Sequence, residues 1–435
     1  MYVMKDKCIY ISEFDSEEKI KSNNRFSLPR FSLFETGNQL LLSGMDQLLI
    51  TMADEGDTLV TARKPDDNYL KYWCENVCEI ENFTPKPLEG ASIYKRILED
   101  EDGRRLLAEN KIVNYALVPD YYQLRESLND GSLIKTEEEP SLDIIKKLSS
   151  KAYSNDLKYK YDLPLKGIHL KSLEEFAGFD KWDDGKWLLK DSMGVSGKGM
   201  VLIDSSGIAA RLLKHFQRER EKGAEEFDFI LEPYLNNLMD FSCVFYITSD
   251  KEVIINGFQK NESKGFSYHG NGPLQPEVYD MIMATGYREL VIKIGKDMAE
   301  EGYRGYACID SMIAEENQVI PLLEINPRMS VSRFNLRISE RLGKNSRLSY
   351  IEGVTKGVSI RDVLKGLESE AILYSKNRGK GVIPLAPGIW DCDEASGKKT
   401  RIYYMIVYET EEDYEKILAS WLAYSSGSIC AGSIN

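Results

Sequence analysis

Histidine is scarce in this chain, with His169, His215 and His269 the only three among 435 residues. A serine–histidine nucleophile or a histidine zinc site is hard to build from so few. Cysteine offers no substitute. The seven cysteines are scattered without the paired spacing of a zinc site. Cys74 and Cys78, on a helix-like run with Trp73, read as buried thiols. An odd, unclustered set of thiols suits a reducing compartment. No run of about 18 apolar residues is present, so a membrane span is not expected. The opening MYVMKDKCIYISEF lacks the basic flank and long apolar core of a secretory signal. A cytoplasmic location is therefore expected. Basic residues are in deficit, with a net charge of −14, which argues against a protein that holds nucleic acid by its phosphates. The phosphate loop G-x-x-x-x-G-K-[ST] is absent too.

What is present has the make-up of a soluble globular chain, 42% hydrophobic and long enough for two or three compact units. Residues 1–145 alternate short β-rich runs (Cys8 to Ile11, Thr58 to Ala62) with helix-like ones (Asn68 to Cys78). That alternation predicts a parallel, Rossmann-like sheet. Over 146–235 the pattern becomes helix, strand, glycine loop, strand, helix, strand. Residues 236–435 supply further strands, among them Gly381 to Pro387 and Arg401 to Tyr408, and a closing helix from Glu411 to Tyr424.

Three segments carry candidate chemistry. The first, GYACIDSMIAEENQVIPLLEINPRMS, reads as two strands. Glu324 and Asn326 are two apart on an extended chain and share a face, and Asp310 meets them from the neighbouring strand. Oxygen donors of this kind suit Mg²⁺, which takes one or two carboxylates and completes its shell with nucleotide phosphates. The second, KWLLKDSMGVSGKGMVLID, places Lys190 on a short strand before a glycine-rich turn. Glycines there let backbone N–H groups approach phosphate oxygens. The third, FILEPYL, ends a strand and leads to Asp240.

Together these segments resemble the ATP-grasp carboxylate ligases. The D…E-x-N triad of that superfamily matches Asp310, Glu324 and Asn326, and Arg328 matches the basic residue that often follows. The N-terminal region resembles the pre-ATP-grasp domain of one subgroup, the pheganomycin-type peptide ligases and butirosin-type aminoacyl carrier-protein ligases. The resemblance implies an α/β (α+β) fold: a Rossmann-like domain over 1–145, a lid subdomain over 146–235, and an antiparallel central sheet with the metal site over 236–435. It implies ATP as the nucleotide and one or two Mg²⁺, with Mn²⁺ as a substitute. Lys151 and Lys190 would neutralise phosphates, with Lys158 and Lys160 close enough to compete for the first role. Gly197, Lys198 and Gly199 would close over the phosphates. Glu232, Tyr234 and Leu235 would lie against adenine, and Asp240 would bind ribose.

For catalysis, Arg328 would stabilise the transferring phosphoryl group. His269, in an expected loop Phe266 to Pro273, would act as general base. Arg333, Arg337, Arg341, Lys344 and Arg347 fall at helical spacing, but Gly343 weakens the helix near its end, and a helix that stops there leaves Lys344 and Arg347 beyond it. Arg333 would hold a substrate carboxylate, and the outer members would attract an acidic acyl carrier protein. The implied activity is ATP-dependent joining of an amino acid or peptide carboxylate to an amine or a carrier-protein thiol, in antibiotic-type biosynthesis. An ATP-grasp small-molecule kinase and a non-catalytic nucleotide-binding regulator are the alternatives.

Overall fold

Short strands rich in β-branched residues, joined by helices, build a parallel sheet at the N-terminus, as the alternation predicts. In the computed structural model, which describes residues 7–29, 44–128, 139–194, 199–264, 267–355, 357–389 and 400–431, this sheet contains β1 (Cys8–Ile11), β2 (Thr58–Val60), β3 (Glu81–Phe83) and β4 (Lys111–Asn114) in the order β3-β2-β1-β4. Both faces are covered. Ile9, Ile11 and Val60 pack with Tyr94, Ile97 and Leu107, while Tyr10 and Leu59 pack with Leu48, Tyr69 and Trp73.

A small antiparallel sheet follows, made of β5 (Ile168–Leu170), β6 (Trp187–Asp191), β7 (Met200–Ile203) and β8 (Phe229–Pro233) in the order β5-β8-β6-β7. Its core is aromatic, with Phe176, Phe216, Phe227 and Phe229 around Leu189 and Leu231. Phe26 and Leu28, from the N-terminal part of the chain, are buried in the same core.

The largest sheet holds β9 (Asn237–Ile247), β10 (Val253–Lys264), β11 (Ser267–Pro273), β12 (Gly305–Ala314), β13 (Val319–Asn326), β14 (Asn345–Thr355), β15 (Gly381–Leu385) and β16 (Thr400–Tyr408). The order is β13-β12-β9-β10-β11-β14-β16-β15, with β17 (Cys430–Ala431) beside β14. Its pairs are antiparallel. Alternation along the strands sets up the two faces. Phe241, Cys243, Phe245, Ala307 and Ile309 pack on Val291, Ile294 and Met298 of the helix Tyr287–Glu300. The residues between them, including Asp240, Ser242 and Asp310, point to the opposite face.

One expectation changes, and one alternative is decided. The segment Phe266 to Pro273, expected as a mobile loop, contains strand β11 from Ser267. Its glycines serve close packing instead of turning. A Cβ at Gly270 would stand 2.6 Å from the Leu348 carbonyl oxygen, and one at Gly272 would stand 2.6 Å from Arg347 Cγ. The basic helix runs from Val331 to Leu342 and stops at Gly343, whose φ of +62° is left-handed. Lys344 and Arg347 therefore lie off that helix.

Candidate active site

The register of β12 on β13 places Asp310 directly opposite Glu324, and Cys308 opposite Asn326. The three oxygen-bearing side chains Asp310, Glu324 and Asn326 thus share one face of two hydrogen-bonded strands. Asn326 Nδ2 donates to Asp310 Oδ2 at 2.8 Å. Lys151 Nζ lies 2.8 Å from Glu324 Oε2. Burial and the opposing Glu324 charge push the Asp310 carboxyl up to about 7. Burial works in the same direction on Glu324, but Lys151, Lys190 and Arg328 outweigh it and hold that carboxyl below the ordinary glutamate range.

This donor set fits a hard divalent cation. Two facing carboxylates crowd negative charge that such an ion relieves, and a carboxamide oxygen stands beside them. Among the described residues no group of three or more histidine, cysteine, aspartate or glutamate side chains is placed to hold a metal. The remaining ligands would come from nucleotide oxygens and water, as Mg²⁺ prefers.

Lys151 opens the helix Lys151–Lys160, capped by Ser150, whose hydroxyl accepts from Ala152 N at 3.0 Å. The helix start is tied to the turn after β6: Lys151 N donates to Ser192 O at 2.8 Å, and Lys151 Nζ also reaches the Gly194 carbonyl. Seven residues on, two helical turns later, Lys158 points the same way. It is buried and pairs with Glu232 on β8. Lys190, on β6, pairs with the other oxygen of Glu232. Lys160 instead faces outward to Asp297. Of the two alternatives to Lys151, Lys158 joins this buried cluster and Lys160 does not. The spacing of Lys158 from Lys151 was the available signal.

Gly194 and Gly199 sit against one another at the base of the glycine turn. A Cβ on Gly199 would lie 2.7 Å from Gly194 Cα, so the hairpin closes only with glycine there. Gly197 and Lys198 fall outside the described residues. Tyr234 N donates to Lys186 O at 2.8 Å, fixing the link between the small and large sheets. Leu235 packs by Met312 and Ile320, near the metal-ligand candidates. Asp240, the expected ribose ligand beyond FILEPYL, lies within β9, opposite Met312 on one side and Asn261 on the other. It shares the site face with Asp310 and accepts from Asn237 Nδ2 at 2.6 Å.

Arg328 follows Asn326 in a tight turn. Its guanidinium donates to Tyr115 Oη at 2.8 Å, Met329 O at 3.0 Å and Asn326 Oδ1 at 3.3 Å. A narrow cleft opens here, bounded by Lys151, Glu324, Asn326 and Arg328, with Ser16 and Leu117 reaching in from the N-terminal region.

Two expected catalytic residues lie elsewhere. His269 is on β11, three strands from β12 and so roughly 14 Å across the sheet, with its ring stacked on Tyr350 at 5.1 Å. Arg333 is buried and grips Glu340 with both terminal nitrogens, at 2.8 and 3.2 Å, which turns it away from a substrate carboxylate. The residues of the expected basic docking face are partly buried and paired within the chain. Arg337 and Arg341 pair with Asp54, Lys344 with Glu409, and Arg347 with Glu411.

No family model matches the chain. A curated relative, the [butirosin acyl-carrier protein]–L-glutamate ligase of Niallia circulans, is 24% identical over 242 residues, or 56% of this chain and 54% of that protein. The match thus spans about half the relative's length. Among solved structures, the chain is similar to a biotin carboxylase–β,γ-ATP complex from Campylobacter jejuni (TM-score 0.57, 13% identity, 100% of this chain and 94% of that one). The biotin carboxylase domain of Hydrogenobacter thermophilus 2-oxoglutarate carboxylase, with MgADP and bicarbonate, gives a TM-score of 0.54 at 16% identity over 82% of each chain. An ADP complex of N5-carboxyaminoimidazole ribonucleotide synthetase gives 0.53 at 14% identity, over 96% of this chain and 97% of that one. At these identities the likeness to the solved structures is one of fold.

Proposed function

We propose that this chain, which shares its fold with biotin carboxylase and N5-carboxyaminoimidazole ribonucleotide synthetase, is an ATP-grasp ligase, dependent on ATP and Mg²⁺, that activates an amino acid or peptide carboxylate. The observation that carries the reading is the direct opposition of Asp310 and Glu324, with Asn326 on the same face and Lys151 on Glu324. Asp310, Glu324 and Asn326 would hold one or two Mg²⁺, with Mn²⁺ as a substitute, and the metal would offset phosphate charge. Lys151 and Lys190 would meet the phosphates, with Lys158 behind them. Glu232, Tyr234 and Leu235 would take the adenine end, Asp240 the ribose, and Gly197, Lys198 and Gly199 would cover the phosphates.

The protein's task is positioning and charge neutralisation. A carboxylate oxygen of the substrate attacks the γ-phosphorus, the bond to the β,γ-bridging oxygen breaks, and ADP leaves. Arg328 faces the charge that develops on the transferring group. An amine or thiol then attacks the acyl carbon and expels phosphate. A thiol acceptor on a carrier protein is supported by the Niallia circulans relative, whose substrate is such a protein. A free amine satisfies the same chemistry. A place in specialised-metabolite biosynthesis is part of the proposal, supported by the same relative. We place the enzyme in the cytoplasm, where ATP is available; among the described residues no helix is long and apolar enough to cross a membrane.

The test is ADP release screened over single amino acids, each with and without a pantetheinylated carrier protein. Turnover that depends on one carboxylate substrate and is lost in Glu324→Ala, with the fold intact by circular dichroism, supports the ligase. A stable phosphorylated product would mark a kinase instead. No ATP consumption with any substrate would mark a nucleotide-binding regulator.

A further inference from the structure

Tyr115 stands one residue beyond β4, at the C-terminal end of a parallel strand, where open α/β sheets present side chains to ligands. It is buried, yet it belongs to a different sheet from the metal-ligand candidates. Two of its groups meet the segment that carries them. Its hydroxyl accepts from Arg328 at 2.8 Å, and its backbone carbonyl accepts from Met329 N at 2.9 Å. The Arg328 guanidinium also lies over its ring, 5.3 Å from the centroid. Behind the ring stands a second layer. Phe14 stacks on it at 4.3 Å with an interplanar angle of 22°, and Phe334, on the helix after the E-x-N strand, contacts it at 5.9 Å. The next two residues, Ala116 and Leu117, line the cleft together with Arg328.

We propose that Tyr115 is a positioning residue for Arg328, so that the N-terminal parallel sheet is a working part of the reaction centre. The inference rests on the ligase reading, in which Arg328 faces the transferring phosphoryl group. An arginine side chain has several rotatable bonds. Held at one end by Asn326 and at the other by a buried phenol, the guanidinium keeps one orientation, and small displacements of such groups are costly to rate.

Tyr115→Phe keeps the ring and its stacking and removes only the hydroxyl. It is expected to lower kcat for ADP release by roughly tenfold to a hundredfold, to leave the KM for ATP within about twofold, and to leave the melting temperature nearly unchanged. The loss should not add to that of Arg328→Ala in the double variant, because both act on one group. A second measurement needs no known substrate: calorimetric binding of MgADP with and without fluoroaluminate, a mimic of the phosphoryl group in flight. Wild type should bind the pair more tightly than MgADP alone, and Tyr115→Phe should lose that gain while keeping MgADP affinity. If Tyr115→Phe gains as much as wild type, or its kcat loss adds fully to that of Arg328→Ala, the inference falls and the ligase stands. If wild type binds no MgADP, or gains nothing from fluoroaluminate, the two fall together.

Discussion

Glu232 is buried to 2% exposure with Lys158 on one carboxylate oxygen and Lys190 on the other. Burial alone would raise its carboxyl, but Lys190 and Lys158 hold it below the ordinary glutamate range. Burial also pulls the Lys158 ammonium down, partly opposed by Glu232. By formal charge, two lysines and one glutamate give the cluster one positive charge in surplus, which the phosphates of the proposed nucleotide would meet. Glu232→Gln would leave two buried lysines without a counter-charge, at a cost of about 3 kcal/mol, read by urea denaturation. Because the native carboxyl is depressed, its contribution is present above the glutamate range and lost as pH falls. The gap between wild type and variant should narrow on acidification. Phosphates can take over as counter-charge, so ATP should raise the melting temperature of Glu232→Gln more than that of wild type. Equal shifts would mean that these lysines do not meet the nucleotide. At this scale much was legible. Asp310, Glu324 and Asn326 were readable because a two-residue spacing on a strand fixes a face. Arg333 was misread because its partner Glu340 lies two helical turns away, and spacing shows a common face without showing who occupies it.

Among the elements, the segment 21–29 has the least local logic and the longest reach. It leaves the helix Ser16–Ile20, two of whose residues line the cleft, and crosses the small sheet. Arg25 pairs with Glu226 and Asp228, Phe26 N donates to Glu226 O at 3.0 Å, and the carbonyl of Ser27 receives His215 Nε2 at 2.8 Å. The Phe26 ring sits 5.1 Å from Phe227 and 6.1 Å from Phe216. Phe26→Ala should remove about 3–5 kcal/mol of packing, and the loss should be local. Hydrogen exchange should accelerate in β5 to β8 and in the helix Ser206–Glu221, while β9 and β12 keep wild-type protection. Uniform acceleration would show that the segment merely holds the whole fold. Nothing in the sequence marks this strap, because its contacts span about 200 residues and β-pairing of that range leaves no periodic trace. Elements with local signals were legible: β6, β7 and the helix Glu411–Tyr424, with its Thr410–Asp413 capping box, sit where they were expected. Strand β11 was hidden because Gly270 and Gly272 imitate a loop while making room for β14.

For the whole molecule, the question is how the N-terminal sheet is held on the large one. One core runs through both: Tyr69 and Trp73 lie in the same buried cluster as Tyr374, Ile406 and Val407. Tyr72 Oη donates to Tyr374 O at 3.0 Å. The helix Val331–Leu342 adds the polar part of the seam. Arg341 donates to Thr51 O at 3.3 Å and reaches Ala53 O, and it shares Asp54 with Arg337. A row of cations on an otherwise acidic protein suggests an external partner only while the row is on the surface; here the chain itself supplies the acid. Reversing both charges, Arg337→Glu with Arg341→Glu, should therefore act on stability. Two carboxylates set against Asp54 in a mostly buried seam should cost about 3 kcal/mol or more, seen as a lower midpoint in urea. Activity with a carrier-protein acceptor and with a small amine should fall in parallel. Asp54→Arg added to the pair should recover part of the lost stability, since the attraction is restored with its sign exchanged. Unchanged stability with a loss confined to the carrier protein would return these arginines to a docking role and place the seam's strength in its apolar half.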